Sequence, residues 1–200
     1  MIKSIAILLL VYCLMSVVTH AQDLQKSKVE EGTEIDLHGT KLTIPDLLVC
    51  DQEGRKVRFY SDLIKDKVVV LNFFYTSCAY TCSMQGRTFS KLQSLLGERL
   101  GKSVFLISVT TDPLKDNPKQ LKAWSMRYNA GPGWTFVTGD ISEMNKLLVT
   151  FVGNPAGGGM HLPTTFIGNA KSGVWTSATG VFPPEDILKV INSLTRDVPG

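Results

Sequence analysis

The sequence predicts an α/β protein, a three-layer sandwich in which helices cover both faces of a mixed β-sheet, with an added hairpin near the N-terminus. Three observations predict it. Strand-like and helix-like segments alternate along most of the chain, as parallel βαβ units require. The run Val68–Phe74 is almost continuously apolar, which is typical of a central strand buried on both faces. Two strand-like segments near the C-terminus have no helix between them and predict an antiparallel pair.

The N-terminus has the three parts of a secretory signal peptide. Lys3 supplies the positive region, residues 5–18 form the apolar segment, and residues 19–21 put small side chains at the −3 and −1 positions. We therefore expect residues 1–21 to be removed and the mature chain to be exported, to a periplasm or the extracytoplasmic face of a membrane. An uncleaved leader would associate the protein with that membrane, although a full span needs about twenty apolar residues.

Composition indicates an ordinary globular protein and argues against a nucleic-acid partner. The chain has 200 residues, of which 44% are hydrophobic, and this is enough to bury one sizeable core. The formal net charge is only +3, and no stripe of Lys and Arg is interleaved with aromatic residues. We expect a monomer that binds no nucleic acid.

The mature chain divides into a polar arm and a domain. Residues 22–40 are mixed in charge and without an apolar period, which predicts an extended N-terminal arm. Residues 41–200 form the predicted domain, which opens with a hairpin of residues 47–50 and 56–59.

From residue 68 onward, strands and helices follow in order. Asn117 and Pro118 form an N-cap followed by proline at the first helical position, and Asp140 with Glu143 resembles a capping box. The helix after the central strand should bury an apolar face formed by Phe89, Leu92, Leu95 and Leu96. The predicted strands are residues 68–74, 104–109, 135–138, 164–167 and 174–176, and the predicted helices are residues 80–97, 118–128, 141–151 and 184–194.

Two cysteines, Cys78 and Cys82, follow the predicted central strand directly and have three residues between them. A strand that ends in a thiol pair at the start of a helix is the thioredoxin arrangement, although thioredoxins have two intervening residues. Residues four apart in a first helical turn project from the same side, and the helix N-terminus stabilises thiolate charge. The pair can therefore bind one soft metal ion. The same spacing also permits a Cys78–Cys82 disulfide, because Cα atoms on neighbouring turns are about 6 Å apart.

Few other cysteines and histidines are present. Cys13 lies in the leader, and Cys50 ends an apolar stretch, so we expect Cys50 to be a buried hydrophobic residue. His38 lies in the polar arm, where exposure to solvent is expected. His161 follows a run of glycines and precedes a predicted strand, and in a thioredoxin-like fold that segment faces the thiol-bearing loop. Two sulfurs and one imidazole form a ligand set that suits copper, whereas zinc generally takes a fourth ligand.

An ordered set of motifs over residues 45–191 resembles the Sco/SenC family. The set comprises the pair Cys78 and Cys82 after an apolar strand, a strand that leads to Asp112-Pro113, and the lone His161. The resemblance implies a thioredoxin-like α/β/α sandwich and copper bound by the two cysteines and the histidine. It also implies a role in assembling the binuclear copper centre of cytochrome c oxidase, or related extracytoplasmic copper and thiol chemistry. The partner would then be a copper-receiving or thiol-bearing protein.

Two functions stay open at this point. As a metallochaperone, the protein holds copper on Cys78, Cys82 and His161 and passes it on by ligand exchange. As an enzyme, a thiol–disulfide oxidoreductase, it uses Cys78 to attack a partner disulfide and Cys82 to resolve the mixed disulfide, and the histidine is then expendable. Between the cysteines, Ala79 and Tyr80 replace the proline and the acidic residue that are frequent in the family, which keeps the second hypothesis open.

Overall fold

A mixed β-sheet forms the middle layer of the fold. The computed structural model describes residues 33–37, 40–153 and 163–196, all of which belong to the unit Gly32–Gly200. The strands within these ranges are β1 (Thr33–Leu37), β2 (Thr40–Ile44), β3 (Leu48–Asp51), β4 (Lys56–Arg58), β5 (Val68–Phe74), β6 (Val104–Thr110), β7 (Trp134–Thr138), β8 (Thr164–Asn169) and β9 (Val174–Thr179). The helices are α1 (Thr81–Leu96), α2 (Pro118–Arg127), α3 (Ile141–Val152) and α4 (Pro184–Arg196), and a short 3₁₀ turn, Gly97–Arg99, follows α1.

The sheet combines a parallel portion with antiparallel pairs, as the sequence predicts. Its strand order is β2-β1-β9-β8-β5-β6-β7-β3-β4. Strands β5, β6 and β7 run parallel, whereas β8 pairs antiparallel with both β5 and β9. The predicted hairpin is confirmed as the antiparallel pair β3–β4, and β3 also pairs antiparallel with β7. The fold is therefore an elaborated thioredoxin-like sandwich.

The central strand β5 contributes to two hydrophobic cores, one on each face of the sheet. All seven of its residues are buried, which explains the continuous apolar run in the sequence. Because successive side chains of a strand point to opposite faces, Leu71 and Phe73 pack in the core that α3 covers. Val70 and Phe74 pack in the core that α1, α2 and α4 cover. The three predicted layers are confirmed.

The N-caps that the sequence predicts are present at α2 and α3. The side chain of Asn117 accepts a hydrogen bond from the backbone N–H of Lys119 (3.0 Å). The side chain of Asp140 accepts one from the backbone N–H of Ser142 (2.9 Å). These bonds satisfy N–H groups that have no partner inside their helix, so both helices begin where the sequence predicts.

The sheet extends into the last part of the predicted polar arm. Strand β1 pairs antiparallel with β2 and parallel with β9, where Leu37 lies opposite Trp175. Residues 1–32, with the predicted leader and most of the arm, lie outside the described residues, as does His38. The leader and the remaining arm therefore stay predictions. In the part of the chain that the structure describes, no helix is long and apolar enough to cross a membrane.

The buried face of α1 differs from the predicted one. Leu95 is 44% exposed, so its placement on the apolar face was wrong. The face instead extends toward the N-terminus of the helix and includes a polar residue, its members being Cys82, Gln85, Gly86, Phe89, Leu92 and Leu96. These positions follow the helical repeat of 3.6 residues from Cys82, and Leu95 falls outside that stripe.

Candidate two-thiol site

Three segments meet at the carboxyl-terminal end of β5. Residues 75–80 join β5 to α1 and carry the first thiol. The loop after β6 is tied to the end of β5 by a hydrogen bond from the Thr111 N–H to the carbonyl oxygen of Phe74 (2.7 Å). Strand β8 begins beside the same end, because its Thr165 pairs with Asn72 of β5. The start of β8 is therefore a neighbour of the thiol-bearing loop.

The two sulfur-bearing side chains are in contact at the start of α1. Cys78 lies just before the helix, and Cys82 lies in its first turn. The backbone N–H of Cys82 donates a hydrogen bond to the Cys78 sulfur (3.3 Å), and the Cys82 thiol also hydrogen-bonds to it. Tyr80 is the N-cap residue and its side chain makes no capping hydrogen bond. The Cys78 sulfur instead accepts a hydrogen bond from the Cys82 N–H, which has no partner inside the helix. Both thiols are free, and the structure describes the reduced pair.

The two thiols differ in exposure and in acidity. Cys78 is half-buried and Cys82 is buried. Burial raises the pKa of the Cys78 thiol. Hydrogen bonds to its sulfur lower the pKa by more, and their donors are the Cys82 thiol and N–H, the Tyr80 N–H and the Tyr75 hydroxyl. The pKa of Cys78 therefore lies below its ordinary value. Burial, with the hydrogen bond to Cys78, raises the pKa of Cys82 to about 12. The pair thus ionises first at Cys78 while Cys82 keeps its proton.

We predict that Tyr75→Phe slows the reaction of Cys78 with iodoacetamide near neutral pH. The variant removes one hydrogen-bond donor to the Cys78 sulfur, so the pKa of Cys78 rises. Because only the thiolate reacts, the pH of half-maximal rate rises with that pKa. Mass spectrometry of the reduced, metal-free protein gives the rate for each cysteine across a pH series.

A matched control for that variant is Tyr60→Phe. Tyr60 packs against the core on the α3 side of the sheet, whereas Cys78 packs against the other core. The control should leave the pH profile of Cys78 unchanged. Coincident profiles for Tyr75→Phe and the unsubstituted protein would show that the phenol does not act on the thiol.

A buried carboxyl group, Asp116, holds the loop that carries Cys78. Asp116 is 1% exposed. It accepts hydrogen bonds from the Thr76 N–H (3.0 Å), from the Thr76 hydroxyl, and from the Thr110 hydroxyl (2.5 Å). Asp116 thus connects the loop after β5 with the end of β6 through hydrogen bonds to a single carboxyl group. The sequence motif in this loop includes Asp112 but not Asp116, although Asp116 is a second carboxyl group shortly after the Asp-Pro pair.

Both Cys78 and Cys82 line one pocket, called here the thiol pocket. Its lining includes Tyr75, Cys78, Cys82, Gln85, Thr111 and Pro163. Tyr80, between the cysteines, also lines the pocket and is 76% exposed, so an aromatic side chain stands beside its opening. Cys50, which the sequence predicts to be buried, is only half-buried in β3 and is not part of this lining.

The predicted third ligand cannot be placed in this pocket by the structure. His161 belongs to residues 154–162, outside the described residues, but Pro163 two positions later lines the thiol pocket. Within the described ranges, no group of three or more His, Cys, Asp or Glu residues could hold a metal ion. The potential metal donors that the structure describes in this pocket are therefore the two cysteine sulfurs. Two sulfurs suit a soft ion such as Cu(I), which would need a further ligand.

A thiol pair at the strand–helix junction of this sandwich defines a thioredoxin-like protein with a widened cysteine spacing. The SCO1/SenC family model matches residues 37–194, and the chain belongs to the SCO1/SenC family. The resemblance seen in the sequence is thereby confirmed over residues 37–194.

Three known proteins illustrate the relationship. A candidate copper-binding protein of Stutzerimonas stutzeri is 29% identical over 107 residues, which cover 52% of this chain and 49% of that protein. BsSco, described as a member of the Sco family of cytochrome c oxidase assembly proteins with a disulfide switch, has a TM-score of 0.65 at 23% identity, covering 83% of this chain and 100% of that one. Yeast Sco1 with copper bound has a TM-score of 0.62 at 15% identity, covering 86% and 98%. The structures of BsSco and yeast Sco1 share the fold of this chain. The chain spans about half the length of the curated relatives that it matches.

Proposed function

We propose that this protein is an extracytoplasmic copper-binding metallochaperone. Cys78, Cys82 and His161 hold copper as cargo, for delivery to the copper centre of a respiratory oxidase. The observation that carries the proposal is the contact between the two cysteines, in which the Cys82 N–H lies 3.3 Å from the Cys78 sulfur within one pocket. Family membership supports it, as does the copper-bound structure of the yeast relative.

The site is suited to accepting and releasing a soft cation. The hydrogen bonds to the Cys78 sulfur lower its pKa and so favour the anionic form that a soft metal ion binds. A coordinating thiol loses its proton, so binding releases the proton of Cys82. Cys78 remains half-exposed, so a thiol or thioether of a partner can reach the cargo from the open side of the pocket. Ligand exchange then requires no large movement of the sheet.

The role of His161 as a copper ligand is tested by comparing the variants His161→Ala and His38→Ala. We expect His161→Ala to lower the affinity for Cu(I) by about 100-fold or more, since even the loss of a group that only supports a metal ligand costs about 10–100-fold. His38, in the predicted arm, is the matched control and should have no effect. Competition with a chromogenic chelator measures both affinities, and equal affinities for the two variants would remove His161 from the ligand set.

A second candidate function, thiol–disulfide exchange, has its own supporting observation in the asymmetry of the pair. The more exposed Cys78 has the lowered pKa, and the buried Cys82 keeps its proton. The Cys78 thiolate would attack a partner disulfide, forming a mixed disulfide and releasing one partner thiolate. Cys82 would then lose its proton and attack Cys78, releasing the second thiolate. The products are a Cys78–Cys82 disulfide and a partner reduced by two electrons.

The proposal includes a location and a partner. The predicted leader, residues 1–21, exports the chain to the periplasm or the extracytoplasmic face of a membrane, and a retained leader associates it with that membrane. The partner is a copper-receiving or thiol-bearing protein that meets a monomer at the thiol pocket. The exposed Tyr80 gives this partner an aromatic contact beside the cysteines.

A further inference from the structure

Helix α1 carries one polar side chain that is buried without a partner. Gln85 is 3% exposed and lines the thiol pocket. Its Nε2 group has no hydrogen-bond partner, and within the described residues only Nε1 of Trp175 shares that condition. Buried donors in folded proteins are nearly always paired, because an unpaired donor has lost its contact with water without compensation. The reduced protein thus holds a donor that it does not use.

The position of Gln85 places this donor on the same face of α1 as Cys82. Gln85 follows Cys82 by three residues on the buried face of α1. Residues three apart are neighbours on a helix, and helical side chains lean toward the N-terminus of the helix. Gln85 and both cysteines line the same pocket, yet no hydrogen bond joins the Gln85 Nε2 group to either sulfur in the structure.

We propose that Gln85 is a positioning residue of the two-thiol site, whose Nε2 group donates a hydrogen bond to the Cys82 sulfur when that sulfur is a thiolate bound to Cu(I). A thiol that coordinates a metal loses its proton and becomes an anionic acceptor. Hydrogen bonds to ionised acceptors are roughly twice as strong as neutral ones. Gln85 thereby stabilises the buried sulfur in the loaded state alone. This role rests on the proposed copper-binding function and deepens it.

The variant Gln85→Met tests this role, because it keeps the length of the side chain and removes the donor. We expect its Cu(I) affinity to fall about tenfold in competition with a chromogenic chelator. The melting temperature of the metal-free protein should stay the same or rise, because an unpaired buried donor is removed. A merely structural role for Gln85 predicts the opposite pattern, a lower melting temperature with unchanged affinity.

The matched control is Gln93→Met on the same helix. Both the nitrogen and the oxygen of the Gln93 amide are hydrogen-bonded, since it donates to the carbonyl oxygen of Asn129 (2.9 Å) and accepts from the Gly131 N–H (2.8 Å). This variant should lower the melting temperature and leave the Cu(I) affinity unchanged. Comparison of the two variants separates an effect on the metal site from a general effect on the helix.

A nuclear magnetic resonance measurement observes the hydrogen bond directly. The side-chain NH₂ signals of Gln85 are those that disappear from the ¹⁵N–¹H spectrum of Gln85→Met. We expect one of these protons to move downfield when Cu(I) is added to the unsubstituted protein. The side-chain NH₂ signals of Gln93 should stay in place, because that amide is already hydrogen-bonded to Asn129 and Gly131.

Failure of this inference is distinguishable from failure of the proposed function. If the unsubstituted protein binds no Cu(I), the metallochaperone function and the role of Gln85 are both overturned. If it binds Cu(I) while Gln85→Met binds equally tightly and the NH₂ signals do not move, the role of Gln85 alone is overturned. A tenfold loss of affinity together with the downfield shift supports the inference.

Discussion

Replacing Cys82 with serine is expected to lower the Cu(I) affinity by roughly 1,000-fold or more, equivalent to about 4 kcal/mol. The buried Cys82 sulfur lies beside that of Cys78 and is the second donor of the proposed site. A serine hydroxyl is a hard, neutral oxygen, which Cu(I) binds poorly compared with a thiolate. The affinity is measured in competition with a chromogenic chelator under reducing conditions.

The matched control is Cys50→Ser, which makes the same chemical change outside the thiol pocket. Cys50 lies half-buried in β3, where burial raises the pKa of its thiol. This variant should bind Cu(I) as the unsubstituted protein does. The assignment of the site fails if Cys50→Ser loses affinity while Cys82→Ser keeps it.

Removing the carboxyl group of Asp116 should destabilise the protein by about 3 kcal/mol. The variant Asp116→Ala leaves the Thr76 N–H and the hydroxyl groups of Thr76 and Thr110 without their acceptor. For a chain of this size, the loss corresponds to a fall of roughly 6–12 °C in melting temperature. Because Thr76 precedes Cys78 by two residues, the thiol-bearing loop also loses its anchor, and the Cu(I) affinity should fall as well. Thermal unfolding of the metal-free protein and chelator competition measure the two effects.

Asp112→Asn provides the control in the same loop. The Asp112 side chain pairs with Lys115 (3.1 Å), whose side chain is 76% exposed. Exposed ion pairs contribute little, so this variant should change the stability by no more than about 0.5 kcal/mol. If Asp116→Ala were as mild as Asp112→Asn, the anchoring role of Asp116 would be wrong.

Elements with a strong local pattern could be predicted closely from the sequence. The continuous apolar run of β5 is buried on both faces, and its bounds match the prediction. The polar N-caps Asn117 and Asp140 mark the starts of α2 and α3 through hydrogen bonds to residues two positions ahead. The juxtaposition of Cys78 and Cys82 also followed from their spacing. In each case the determining interaction is local in sequence.

Features that depend on distant residues could not be predicted. Strand β1 forms a hairpin with the neighbouring β2 where the sequence shows no apolar period, and its pairing with the remote β9 joins that hairpin to the rest of the sheet. The burial of Asp116 depends on two strands that meet beside it. Gln85 was overlooked because a glutamine in a helix is usually exposed, whereas here it lies on the buried face. A local pattern contains no information about these tertiary contacts.

The most direct test of the account is the Cu(I) stoichiometry of the reduced mature protein, titrated against a chelator of known affinity. We predict one tightly bound Cu(I) per chain, with Cys78 and Cys82 protected from alkylation and Cys50 unprotected. The metallochaperone function would be contradicted if the protein took no Cu(I) from the chelator. If the same protein also formed and opened a Cys78–Cys82 disulfide by exchange with a partner, the oxidoreductase function would be established.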